Sequence, residues 1–209
     1  ESGVWSRAPS VVPMPSVRWD AQAQRFSPRD CTPSYPLAEA HKMQSDEVPL
    51  KPQRLMYELS HMFPPQTRFL ADPGNAMAWS THYLAPLDRR IGDRRSALGA
   101  KERVAGRRMA RCSRVRTVMD FAPMGWGIGG AVGVALAHRG IPVVCITGDG
   151  SFLMNGQEIT VAVEQKLPVV FLVLNDAALG MVKHGQRLTG AERVGFELPR
   201  VDFAAMAAT

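Results

Sequence analysis

Two continuous apolar runs, Ile141-Pro-Val-Val-Cys-Ile-Thr147 and Pro168 to Leu174, constrain the fold of this 209-residue chain more than any other feature. Neither alternates polar with apolar residues, so each suits a strand buried on both faces, as parallel sheets require. Between them, Asn155 to Gln165 reads as a helix with Asn155 at its cap. Strand, helix and strand in this order predict an α/β fold. The expected architecture is an open, mainly parallel sheet with right-handed crossovers and helices on both faces.

Ligands of such sheets bind beyond the carboxyl ends of the strands. The first run ends in Gly148-Asp149-Gly150-Ser151 and the second in Asn175-Asp176. Glycines on both sides of Asp149 allow a ligand to approach the backbone, and free amides with a following helix N-terminus suit a phosphate. A second oxygen ligand from the neighbouring strand end would complete a site for a hard cation such as magnesium, which commonly bridges a carboxylate to substrate phosphates. Asp176 follows Asp149 by 27 positions, one crossover later. Ser151 suits either a helix cap or a phosphate contact.

The rest of the chain frames this centre. Residues 1–49 are rich in Pro and Ser without sustained periodicity and read as a linker or the tail of an upstream domain. From Pro52 a helix is expected, with Leu55, Met56 and Leu59 on one face. A short buried strand over Arg68–Asp72 and a helix over Ala76–Leu84 follow, then a segment around Val115–Phe121. A Gly-rich turn from Met124 to Gly130 leads into a small-residue helix ending near His138, and a last helix begins near Val201. The net charge of +6 is local: residues 88–116 hold ten Arg and one Lys against Asp88, Asp93 and Glu102, and read as a long solvated loop. Three cysteines, Cys31, Cys112 and Cys145, contain no C-x-x-C pair, which argues against a disulfide framework or zinc site and fits a reducing cytosol. No apolar run reaches a membrane span or a signal core, so a cytoplasmic protein is expected.

The pattern G-D-G-S-F, a crossover helix, an apolar strand and N-D resembles the thiamine-diphosphate (ThDP) motif of acetolactate synthase-like decarboxylases and ligases. The resemblance covers residues from about Pro49 onward and implies the diphosphate-binding domain of such an enzyme, spanning 50–209, as a fragment. It implies ThDP and Mg2+ as cofactors, with Asp149, Asp176 and the main-chain carbonyl of Ala178 as metal ligands. Asp at 176 departs from the commoner Asn of the family but keeps an oxygen ligand. Met124 aligns with the bulky residue that props the cofactor in its V shape, although viewed alone it would more often be a core methionine. Gly74-Asn75 and Trp79 match the segment over the diphosphate, and Gly180 and Met181 match positions that contact the cofactor, in a loop continuing past the metal site. Cofactor contacts are thus expected from Asn75, Met124, Gly148, Asp149, Gly150, Ser151, Asn175, Asp176, Gly180 and Met181.

The implied reaction is decarboxylation of a 2-keto acid, with transfer or release of the resulting acyl carbanion. Catalytic activation is implied to come from a glutamate on a pyrimidine-binding domain of a neighbouring subunit, in a homodimer or tetramer, and no catalytic residue is expected within this chain. Gly185 stands where true acetolactate synthases carry a channel-lining tryptophan, which leaves the acyl acceptor open. His184 reads as a surface or substrate-edge residue and Cys145 as inert packing.

Two other readings use the same residues. Gly125-Trp-Gly127-Ile-Gly129-Gly130 invites an NAD(P)-binding oxidoreductase, with Asp149 as the ribose acid, but that acid should not lie between glycines, and Asp176 is left unused. A non-catalytic module could bind nucleic acid through the Arg-rich stretch, but interleaved aromatics and any DNA-reading motif are missing there.

Overall fold

The structure is a computed structural model. It describes residues 37–64, 66–85, 115–118 and 120–208, with the backbone of two short strands, β1 (Trp19–Asp20) and β2 (Arg25–Phe26). The chain forms two compact units, Glu1–Phe63 with Thr81–Arg114, and Pro64–Ser80 with Val115–Thr209. The Arg-rich loop expectation falls outside the described residues up to position 114.

In the first unit β1 and β2 pair antiparallel within the segment expected to lack regular structure. A 3-10 helix over Ala40–Gln44 and α1 (Pro52–Met62) follow, the latter opened by Pro52 as its first residue. Gln53, Met56 and Leu59 form the buried side of α1. Buried Tyr83 donates its hydroxyl to the Ala38 carbonyl at 2.6 Å and accepts from Gln53 Nε2 at 3.5 Å, tying three separate segments together.

The second unit holds a four-stranded, wholly parallel sheet of β3 (Arg68–Ala71), β4 (Val115–Arg116), β5 (Val143–Gly148) and β6 (Val169–Leu174), in the order β4-β3-β5-β6. Central β5 is buried from Val143 to Thr147, as its unbroken apolar run demands. β6 departs from expectation. It is an edge strand among the described residues, and its residues are only half-buried, with Val170 45% exposed.

α2 (Asn75–Trp79) passes directly into a π-helical turn, Ser80–Leu84. α3 (Trp126–Ala137) packs on β3, β5 and β6. Its buried positions, Gly127, Ile128, Ala131, Val132 and Ala135, recur at helical spacing. Small residues bring it close: a Cβ on Gly130 would lie 3.0 Å from Leu70 Cδ2. α4 (Asp149–Asn155), a 3-10 turn (Gly156–Glu158) and α5 (Ile159–Glu164) form the crossover to β6. α6 (Gly180–Thr189) and α7 (Phe203–Ala207) complete the unit, the latter capped by Asp202 accepting the Ala205 N–H at 3.0 Å.

One core links these parts. Leu70, Val143 and Cys145 of the sheet pack with Ile128 and Ala131 of α3, Phe152, Ala162 and Phe203. The Phe152 ring meets Phe171 and Phe203 edge-on, at centroid distances of 6.5 and 5.3 Å. Burial raises the Cys145 thiol far above the ordinary range, which keeps it unreactive.

Ile128 has no exposed surface and sits at the centre of this cluster. Ile128→Ala should cost about 2–5 kcal/mol of stability. Urea denaturation of the two proteins, with an unchanged slope and a lowered midpoint, is the check.

Candidate active site

The site is assembled at the carboxyl ends of β3, β5 and β6. Parallel register aligns Gly148 with Leu174, so Asp149 and the Asn175-Asp176 pair leave adjacent strands side by side. Asp149 does not lie in a turn, as Gly-Asp-Gly alone suggests. Gly148 ends β5 in extended conformation and α4 begins at once with Asp149, Gly150 and Ser151, all buried. A carboxylate in the first turn is favoured by the helix dipole.

Asp149 Oδ1 accepts the Gly150 N–H at 2.8 Å, while Oδ2 is buried without a hydrogen-bond partner. An unsatisfied buried carboxylate oxygen is costly, and a cation is the natural remedy. Asp176 stands nearby. Partial desolvation, and then the negative charge of Asp149, hold its carboxyl above the usual range, although hydrogen bonds from its own and the Ala178 amide pull the other way. A carboxylate held under the negative charge of another is a natural seat for a cation.

Ala178 follows two residues beyond Asp176. It pairs with Glu197 in an isolated antiparallel bridge whose bonds are Leu179 N–H to Phe196 O, 2.7 Å, and Leu198 N–H to Ala177 O, 2.9 Å. In a pair of this type the central residue's own N–H and C=O face away from the partner. The Ala178 carbonyl is therefore free of this bridge and shares a side with the N–H that reaches Asp176. Ala177, at φ 54°, provides the sharp bend between Asp176 and this bridge.

The flanking residues converge on the same strand ends. Gly74, with φ 96° and ψ −150°, adopts a conformation open essentially to glycine alone and starts α2 at Asn75. A Cβ on Gly180 would overlap the Asn75 side-chain amide and lie 3.5 Å from Asp176 Oδ2, so Asn75, Asp176 and Gly180 form one cluster. A Cβ on Gly150 would come within 2.7 Å of Leu179 Cδ2 and 3.2 Å of Met124 Cε. Met124 thus reaches from the turn before α3 onto the first turn of α4.

Two residues point elsewhere. Asn175 is exposed, and its Nδ2 donates to the Val201 carbonyl at 2.8 Å. Met181 lies near Gly74 but is 54% exposed. Gly180 and Met181 open helix α6, correcting the expected loop, and no residue of α6 is buried. His184 is exposed on the same helix.

Three contributors were not expected from sequence. Asp72, fully buried just past β3, accepts the Gly125 N–H on Oδ2 at 2.9 Å and the Gly127 N–H on Oδ1 at 2.6 Å. The Thr147 hydroxyl donates to Asp72 Oδ2 at 3.3 Å. Asn155 ends α4 and takes the expected cap position, ahead of the 3-10 turn. Its side chain makes no cap bond there and donates Nδ2 to the Met124 carbonyl at 3.0 Å, close against Gly125.

An orphaned carboxylate oxygen, a second carboxylate beside it, a free carbonyl and a glycine-lined helix start suit a metal-bound diphosphate. Residues 100–209 match the thiamine pyrophosphate enzyme C-terminal TPP binding domain. Over 179 residues the chain is 35% identical to a Mycobacterium tuberculosis protein assigned as an acetolactate synthase large subunit, covering 84% of this chain and 28% of that protein. It is 30% identical over 175 residues to the acetolactate synthase of Arthrospira platensis, covering 83% and 26%. A 65-residue stretch is 52% identical to the acetolactate synthase large subunit of Haemophilus influenzae, covering 31% and 11%. The chain belongs to the thiamine pyrophosphate enzyme family and carries its C-terminal cofactor-binding domain. Membership implies thiamine diphosphate and Mg2+ as cofactors. The chain spans about a quarter of the length of the first two relatives. No helix among the described residues is long and apolar enough to cross a membrane.

The raised Asp176 value fixes a pH dependence. Below the ordinary Asp value of about 3.9 the proton is held in both folded and unfolded chains, and its stabilising share is fully present. That share is lost as pH rises through the higher folded value. Without divalent cations, Asp176→Asn should therefore gain stability relative to the parent as pH rises above about 4. Denaturation midpoints measured against pH check this; parallel profiles would contradict it.

Proposed function

We propose that this chain anchors the diphosphate of ThDP through Mg2+ in an acetolactate synthase-like enzyme that decarboxylates a 2-keto acid and transfers or releases the acyl carbanion. The observation that carries the reading is the pairing of Asp149, with its unpartnered Oδ2, and Asp176 at adjacent strand ends. Asp149, Asp176 and the Ala178 carbonyl are the proposed metal ligands. Gly148, Gly150, Ser151 and Asn75 are proposed to surround the diphosphate, with Gly180 and Met181 beside it and Asn175 acting through the bend it anchors.

Met124 is proposed to hold the cofactor bent. Its seat against Gly150 supports this, because it sets the Met124 methyl beside the first turn of α4. When bound, ThDP supplies the centre at which a keto acid loses carbon dioxide. This chain's residues would bind its diphosphate and orient it.

The cofactor domain is proposed to occupy residues 50–209, with 1–49 as linker or upstream tail. A pyrimidine-binding domain of a neighbouring subunit is proposed to supply the activating glutamate, in a cytoplasmic homodimer or tetramer. The span of about a quarter of each full relative supports that division of labour. Gly185 is exposed on α6, with open space where a Cβ would project, and the acyl acceptor is left open.

Calorimetric titration with ThDP should show binding that requires Mg2+, and Asp149→Ala should weaken it by at least about tenfold. Metal-independent binding, or binding of NAD instead, would overturn the assignment. The 209-residue chain alone should not turn over pyruvate, as followed by carbon dioxide release.

A further inference from the structure

Asp72 lies outside the metal and diphosphate ligands, yet it is a fully buried carboxylate whose three donors come from two other elements. Its backbone N–H is fixed to the Ile146 carbonyl of β5 at 2.8 Å. Its side chain holds Gly125 and Gly127 at the start of α3, and Thr147 near the end of β5. α3 has no capping side chain of its own. The remote carboxylate therefore satisfies amides that a helix start leaves unpaired, where the dipole also favours negative charge.

The fit leaves little slack. A Cβ on Gly127 would lie 3.1 Å from both Asp72 Cβ and Oδ1, and 3.2 Å from its Cα. Met124 immediately precedes the first amide held, and its carbonyl is fixed from the other side by Asn155. Two residues beyond Asp72, Gly74 turns the chain into Asn75 and the Gly180–Asp176 cluster.

We propose that Asp72 is a positioning residue that sets Met124 against Gly150, and so governs recognition of the thiazolium and aminopyrimidine part of the cofactor rather than its diphosphate. The inference rests on the ThDP reading above. Asp149 and Asp176 are brought to the same level by the β5–β6 pairing, in which the Asp72 carboxylate takes no part.

Asp72→Asn replaces one acceptor oxygen with a donor facing an amide, so it breaks at least one of the two backbone bonds while keeping volume. ThDP and inorganic pyrophosphate, each with Mg2+, are titrated into the 209-residue chain and the variant. ThDP affinity should fall about tenfold or more, with pyrophosphate affinity changed less than about threefold. Equal losses for both probes, or none, overturn the proposal. A ligand-free readout accompanies this. In protein labelled at the methionine methyls, the Met124 signal should move in Asp72→Asn while Met206 stays in place. An unmoved Met124 signal overturns the proposal even if the parent binds no ThDP, an outcome that would instead overturn the cofactor reading. Should Asp72→Asn not fold, Gly127→Ala, which pushes the turn off an intact carboxylate, should give the same split. If neither variant folds, Asp72 serves the fold alone and the positioning role fails.

Discussion

The in-register pairing of β5 with β6 is the interaction on which the site depends. Six consecutive residue pairs, from Val143 with Val169 to Gly148 with Leu174, bring two strands to an end at the same level. The sheet thereby places two carboxylates together that would repel one another in solution. The backbone beyond each strand end then solves a different problem. After β5 it turns directly into a helix; after β6 it bends at Ala177 and docks through the Ala178–Glu197 bridge. A one-residue slip of either strand would reverse its faces and separate the carboxylates.

Around that pair, polar contacts across elements join the apolar packing of Met124, Leu179 and Leu198 against Gly150. Asp72 links β3 to α3 and β5, and Asn155 links α4 to the Met124 turn. Glycines at 125, 127, 150 and 180 are the counterpart of these contacts, since each lies where a Cβ would press on a side chain of another segment. Apolar packing does its work deeper, where Ile128, Phe152 and Phe203 close the core under one sheet face.

Much of this was legible in the sequence because the signals were local. The unbroken apolar runs gave β5 and β6 to within two residues at their starts, and Pro52 marked the start of α1. The 27-residue spacing of the two acids was legible for the same reason, one crossover helix being all that separates them. The helix start at Asp149 was legible too, since glycines and a serine after an apolar strand suit one, and Phe152 anchors that helix in the core. The misses have physical causes. α6 buries none of its residues, so no strong apolar pattern announced it; Gly190 at φ 70°, just past its last turn, was the available signal. Asp72 was invisible as a staple because its donors lie 53 to 75 positions away. No local pattern marks an acid as the cap of a distant helix. The direction of Asn175 was equally hidden, since its partner Val201 lies 26 residues downstream.

The orphaned Asp149 oxygen has a consequence for the life of the protein. An unpaired buried oxygen is a cost to the empty protein that a cation bound to it would relieve. A chain arranged in this way is most persistent when its small-molecule partner is plentiful, because binding to the native form alone draws the population away from unfolded states. Vitamin supply would then regulate how long the polypeptide survives quality control as well as how fast it works.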